Sequence, residues 1–133
     1  MNAQNMKKLL IILLILITNA SCIYIEKPPT PYIRETICKD LYVCSASWKW
    51  DSYTSRWYNI IKVPELTKEY CDKGICAVYY VGDDNRLQLL PIYMNEIFID
   101  YTYNMNQIEF IAYDKYNTYI TRPGDMHFRL IMK

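Results

Sequence analysis

EIFIDYTYNMNQIEFIAY, residues 96–113, is the stretch that decides the fold. Within residues 96–103, Ile97, Ile99, Tyr101 and Tyr103 alternate with Phe98, Asp100 and Thr102, the period of two that places one set on each face of a strand. Asn104, Met105 and Asn106 form a compact connection into a second strand at residues 107–113, which predicts a hairpin. Toward the N-terminus, residues 87–90 read as a brief strand stopped by Pro91, and GDDN at 82–85 as a turn. Residues 75–81 form a short apolar run of the kind found in buried central strands. Thr67 is placed as a helix N-cap and Gly74 as the residue just past a helix end, so residues 68–73 are expected to make one or two helical turns. Residues 57–63 read as a strand ended by Pro64, and DSYTSR at 51–56 as a polar turn. Residues 37–48 read as the first strand, with Leu41 and Val43 on one face and Tyr42, Cys44 and Ala46 on the other. Beyond the hairpin lies a loop at 114–126 containing RPGD, then a closing strand at 128–132. Seven short strands separated by turns, with one short helical turn, predict an all-β fold: a single antiparallel β-sandwich.

The start of the chain reads as an address. Lys7 and Lys8 precede nine unbroken apolar residues, 9–17, and Thr18, Asn19, Ala20 and Ser21 then lead to Cys22. A membrane-spanning helix needs roughly 20 apolar residues, so the segment reads as a cleaved export signal. Ala20, Ser21 and Cys22 resemble a bacterial lipobox, in which the cysteine is diacylated and becomes the new N-terminus. Asn19 departs from that pattern, where an aliphatic residue is usual. Ordinary cleavage after Ala20 is the alternative. The expected organisation is a signal peptide at 1–21, a tether at 22–35 stiffened by the PPTP run, and the sandwich at 36–133. The expected address is exported and lipid-anchored to a bacterial membrane, with the outer membrane as first choice.

Removing the 21 signal residues from 133 leaves 112, enough for one domain. It also removes two lysines and no acid, so the formal net charge passes from +1 to −1. With no block of like charge, the electrostatic footprint of a nucleic-acid binder is missing. Fourteen tyrosines suit half-buried pleated surfaces. With Cys22 assigned to lipid, Cys38, Cys44, Cys71 and Cys76 remain. An even number in an exported chain suggests two disulfides, against the alternative of free buried thiols. Cys38 and Cys44 would lie about 20 Å apart along an extended strand, whereas Cys71 and Cys76 flank the turn at Gly74 and are better placed to bridge. Their spacings match zinc frameworks poorly, and no metal or cofactor is expected.

A wider likeness runs through the mature chain. Trp48, VPELT at 63–67, Gly74, Val78-Tyr79-Tyr80, Leu90-Pro91, Tyr101 and Tyr103, and the closing Phe128-Arg129-Leu130-Ile131 occur in an order that resembles small uncharacterised lipoproteins of Bacteroidota. The resemblance extends from about residue 43 to the end. It implies a β-sandwich module exposed on the cell envelope and brings no activity with it. The four additional cysteines and the irregular lipobox depart from the family pattern.

Residues able to carry chemistry are sparse. His127 is the sole histidine, so any Ser–His or Cys–His mechanism would have to use it, and no GxSxG elbow accompanies it. Asp83, Asp84 and Asn85 offer oxygens for calcium but lack an EF-hand spacing and read as a solvated turn. Trp48, Trp50 and Trp57 are the most suggestive set. Trp48 and Trp50 would share a face of a continuing strand, Trp48 as a core anchor. Trp50 and Trp57 are expected to pack at the edge of that core; with Tyr53 and Tyr58 nearby, a ligand platform is the alternative. The expected function is a non-catalytic binding or structural module, membrane-anchored through lipid, whose partner is an envelope protein or a glycan. The alternative is a carbohydrate-binding module built on the Trp48/Trp50/Trp57 cluster.

Overall fold

A computed structural model describes residues 2–8 and 35–133. Residues 3–8 are helical. The apolar run at 9–17, Cys22 and the tether up to residue 34 lie outside the described residues. Among the described residues no helix is long and apolar enough to cross a membrane.

Among the described residues nine strands form two antiparallel sheets. They are β1 (Ile37–Val43), β2 (Lys49–Asp51), β3 (Arg56–Lys62), β4 (Cys76–Val81), β5 (Leu87–Leu89), β6 (Ile92–Met94), β7 (Ile97–Asn104), β8 (Gln107–Tyr113) and β9 (Met126–Met132). One sheet has the order β1-β9-β4-β5 and the other β2-β3-β8-β7-β6. The all-β sandwich is therefore the fold, with two more strands than the seven expected.

Both extra strands have local causes. The expected first strand, 37–48, is interrupted by a 3₁₀ turn at Ser45–Ser47. There Ser47 donates to the Cys44 carbonyl through both its backbone N–H (3.0 Å) and its hydroxyl (2.7 Å). Serine side chains that bond nearby backbone compete with a strand ladder, and here they turn the chain out of one sheet and into the other. The second extra strand, β6, is three residues between Pro91 and a two-residue turn, Asn95–Glu96. Both turn residues have positive φ (48° and 67°), as the hairpin turn matched to strand twist requires.

The core lies between the sheets. Phe128, Leu130 and Met132 of β9 alternate inward, as do Ile108, Phe110 and Ala112 of β8. Phe110 and Phe128 stack across the interior with centroids 4.1 Å apart. Trp48, 2 % exposed, is among the largest fully buried side chains. The VPELT run closes one edge: Val63 and Leu66 are buried, and the Val63 N–H donates to Asn106 while the Asn106 N–H donates to Leu66.

The helix forms at Lys68–Lys73, the expected span. Thr67 precedes it without a side-chain capping bond, and Gly74 is extended (φ −93°, ψ 177°), not left-handed. That extension corrects the expectation of disulfides. Cys38, Cys44, Cys71 and Cys76 are all free thiols. Cys38 lies on β1 and Cys44 just past its end, separated by extended chain. At Gly74 the backbone straightens and leads directly into β4, so Cys71 and Cys76 pack against the core without reaching bonding distance. Burial, helped by the neighbouring Cys71, pushes the Cys76 thiol up to about 11.

Candidate functional site

Register brings the two suggestive tryptophans together. Trp50 of β2 faces Trp57 of β3 directly, with ring centroids 5.4 Å apart. Continuing across the sheet, Trp57 pairs with Ala112, Ala112 with Ile99, and Ile99 with Ile92. These inward positions fix the two indoles at the end of a core row.

The segment joining β8 to β9 then folds over them. The Trp57 Nε1–H donates to the Ile120 carbonyl (2.8 Å). Tyr119 meets Trp50 edge-on at 4.9 Å, and the Arg122 guanidinium lies 5.1 Å from the Trp57 ring, a cation–π contact. Asp114 starts the segment by capping its own turn. Its carboxylate accepts from the Thr118 hydroxyl, from the Thr118 N–H (2.8 Å) and from the Tyr116 N–H (3.2 Å). Those bonds, the Thr118 hydroxyl foremost, hold its carboxyl below the usual range. At the far end Asp125 accepts from the Ser45 N–H, and the Ser45 hydroxyl donates to the Pro123 carbonyl. The loop is thus pinned at its start, middle and end.

Between this loop and the β6–β7 turn lies a cleft of about 460 Å³. Its lining includes Asn95, Glu96, Tyr119, Thr121 and Arg122. The volume falls within the roughly 300–1,000 Å³ typical of small-molecule sites. Tyr119 remains 70 % exposed, so the ring is available although its edge is braced by Trp50. Glu96 holds a left-handed conformation (φ 67°), which costs an L-residue about 1–2 kcal/mol. Among the described residues neither Glu96 nor Arg122 makes an ion pair.

The four residues of the alternative ligand platform do not share a surface. Trp57 is only 5 % exposed and Trp50 is half-buried. Tyr58, adjacent to Trp57 on one strand, faces away from the core, as the period of two requires. Tyr53 stands at the tip of the β2–β3 turn, 97 % exposed, its N–H bonded to Asp51. Tyr119, Arg122 and Glu96 had no place in the sequence reading. The available signal was the long loop itself, since connections of about twelve residues or more without secondary structure are uncommon and are often functional.

A second cluster lies on the outer face of the β1-β9-β4-β5 sheet. Asp40 accepts from Arg129 Nε (2.9 Å) and sits 3.0 Å from His127 Nε2, while Tyr42 stacks on the imidazole at 4.4 Å. Arg129 first, then His127, holds the Asp40 carboxyl below its usual range. The sequence's sole histidine is therefore a strand residue in contact with Asp40, beside a shallow groove that includes Tyr42, Cys44 and Asp125. In the GDDN turn Asp84 pairs with Arg86 (2.9 Å). Among the described residues no three His, Cys, Asp or Glu side chains converge as metal ligands.

Comparison with family models, curated protein sequences and solved structures finds no match to this chain.

Proposed function

We propose that this chain is an exported bacterial lipoprotein, anchored through Cys22, whose sandwich is a non-catalytic binding module with the loop-end cleft as its site. The cleft carries the reading: a pinned loop holds an exposed aromatic ring over a buried aromatic base. Its lining contains neither histidine nor cysteine, and Asp114 is engaged in its own turn, leaving Glu96 without a second carboxylate to share acid–base work. Anchoring is supported by Lys7 and Lys8, the apolar run and Cys22, and by the resemblance to envelope lipoproteins of Bacteroidota. Two or three acyl chains hold a protein stably at a membrane where one does not.

Substituting Cys22→Ala tests the anchor. The native chain should partition with detergent-extracted membranes and the variant should not. Native protein recovered with an unmodified Ser21 N-terminus refutes lipidation. A photo-crosslinking residue at Thr121 tests the cleft: cells should yield a discrete adduct at Thr121 and none from the same residue at Tyr53.

A further inference from the structure

We infer that the cleft binds a neutral saccharide, with Tyr119 as the stacking ring and Arg122 and Glu96 as hydrogen-bonding arms. This rests on the reading of the cleft as the binding site, and it deepens that reading by naming the ligand's chemical class. A pyranose presents an apolar C–H face and a rim of hydroxyls that both donate and accept. The cleft offers a counterpart to each. Tyr119 supplies an exposed aromatic face, and its contact with Trp50 reduces the conformational freedom that binding would otherwise remove.

Arg122 provides several N–H donors in a fixed plane, held near the Trp57 ring. Glu96 provides two acceptor oxygens, and Asn95 and Thr121 add groups of both kinds. A planar guanidinium and a planar carboxylate can each engage two adjacent hydroxyls, which water-exposed apolar ligands lack.

Charge selects the neutral member of the class. Lys, Arg, Asp and Glu contribute three side chains to the lining: Glu96, Asp114 and Arg122. Asp114 already accepts three hydrogen bonds from its own turn. Those donors are neutral and keep it ionised, so two carboxylates face one guanidinium and the lining disfavours an acidic saccharide. The left-handed backbone at Glu96 adds a geometric indication. A glycine would relieve that conformation, yet the turn carries a side chain directed to the cleft lining. The tryptophan cluster is the foundation of the site and not its contact surface: Trp57 is buried and bonded to the loop, and Trp50 braces Tyr119.

The experiment uses the purified full chain and follows tryptophan emission, because Trp50 and Trp57 lie within 4.9–6.3 Å of Tyr119. The probes are cello-, xylo-, manno- and galacto-oligosaccharides as neutral ligands, with oligogalacturonate as the acidic one. A saturable response to at least one neutral probe is expected. Tyr119→Ala and Arg122→Ala should each weaken it at least tenfold and Glu96→Gln several-fold, with the fold retained by circular dichroism and Tm lowered by no more than several degrees, while Tyr53→Ala leaves it intact. The inference is overturned by silence across the neutral panel, by preference for oligogalacturonate, or by full binding in Tyr119→Ala. The Thr121 crosslink separates the two levels. An adduct in cells with no saccharide binding retires the ligand class and keeps the site, whereas loss of both retires the site as well.

Discussion

Trp48 and Trp57 are nearly equally buried, yet replacing each with phenylalanine should have very different consequences. Their indole N–H groups differ: Trp48 Nε1 is buried without a hydrogen-bond partner among the described residues, whereas Trp57 Nε1 donates to Ile120 at 2.8 Å. Trimming either indole to phenyl loses about 1–2 kcal/mol of apolar burial, at roughly 0.8 kcal/mol per methylene equivalent. At Trp48 the change also removes an unsatisfied donor, whose burial costs about 1–3 kcal/mol, so the net effect of Trp48→Phe is near zero. At Trp57 the change instead orphans the Ile120 carbonyl and costs about 1–3 kcal/mol more. Trp57→Phe should therefore lose about 2–5 kcal/mol and release the loop that carries Tyr119 and Arg122. Each kilocalorie corresponds to about 4–8 °C of Tm in a domain of this size, so the two variants should melt roughly 8 °C or more apart. Alanine at either position should cost about 3–5 kcal/mol, confirming that both sites are core. Urea unfolding followed by far-UV circular dichroism measures all four variants without relying on the residues being changed. Equal losses for Trp48→Phe and Trp57→Phe would refute the reasoning, because burial alone would then explain both.

Further outcomes follow from other parts of the fold. Iodoacetamide at pH 8 should label Cys38, Cys44, Cys71 and Cys76 without prior reduction, Cys38 and Cys44 first and Cys76 last, since a thiol pushed up to about 11 is almost wholly protonated at that pH; peptide mapping gives the order, and fast labelling of Cys76 contradicts its burial. Glu96→Gly should raise stability by about 0.5–1 kcal/mol, the left-handed relief of about 1–2 kcal/mol offset by glycine's greater unfolded-state freedom, while weakening saccharide binding. Asp40 is more acidic folded than unfolded, so its contribution is present above about pH 4 and lost as pH falls through its lowered native value. Asp40→Asn should accordingly flatten the acid limb of the stability curve, and an unchanged limb would show that the Arg129 and His127 contacts do not persist in solution.

The long strands were legible because half-buried sheet positions alternate. Residues 96–113 carry enough positions for the period to stand out, and β7 and β8 form there with the expected connection. The three-residue strands β2 and β6 contain too few positions to show a period, and the Ser45–Ser47 turn was hidden because its hydrogen bonds are local side-chain choices inside an otherwise alternating run. At the site, the pairing of Trp50 with Trp57 follows from a short hairpin, and strand alternation already separates Trp57 from Tyr58. Tyr119 and Arg122 were out of reach for a different reason. They sit on irregular backbone with no period, and their partners are tryptophans about sixty residues earlier in the chain, brought close only by the closed sandwich. Disulfides were inferred from an even count in an exported chain, but backbone direction at Gly74 decides whether two thiols can meet, and composition does not encode it.

The placement of β9 also bears on how the molecule comes into being. It is the last strand in chain order, yet it lies between β1 and β4 and joins them along seven and five register pairs. During synthesis β1 therefore emerges some ninety residues before the neighbour it needs, and one sheet has no middle until Met132 is available. The β3–β8–β7 portion can assemble as it appears, but the face of Phe110 stays uncovered until Phe128 arrives. A chain stopped short of residue 126 would leave β1 and β4 as two unpaired edges over an open apolar layer, a state prone to association. The same delay keeps the two sheets from closing over the core until β9 has emerged.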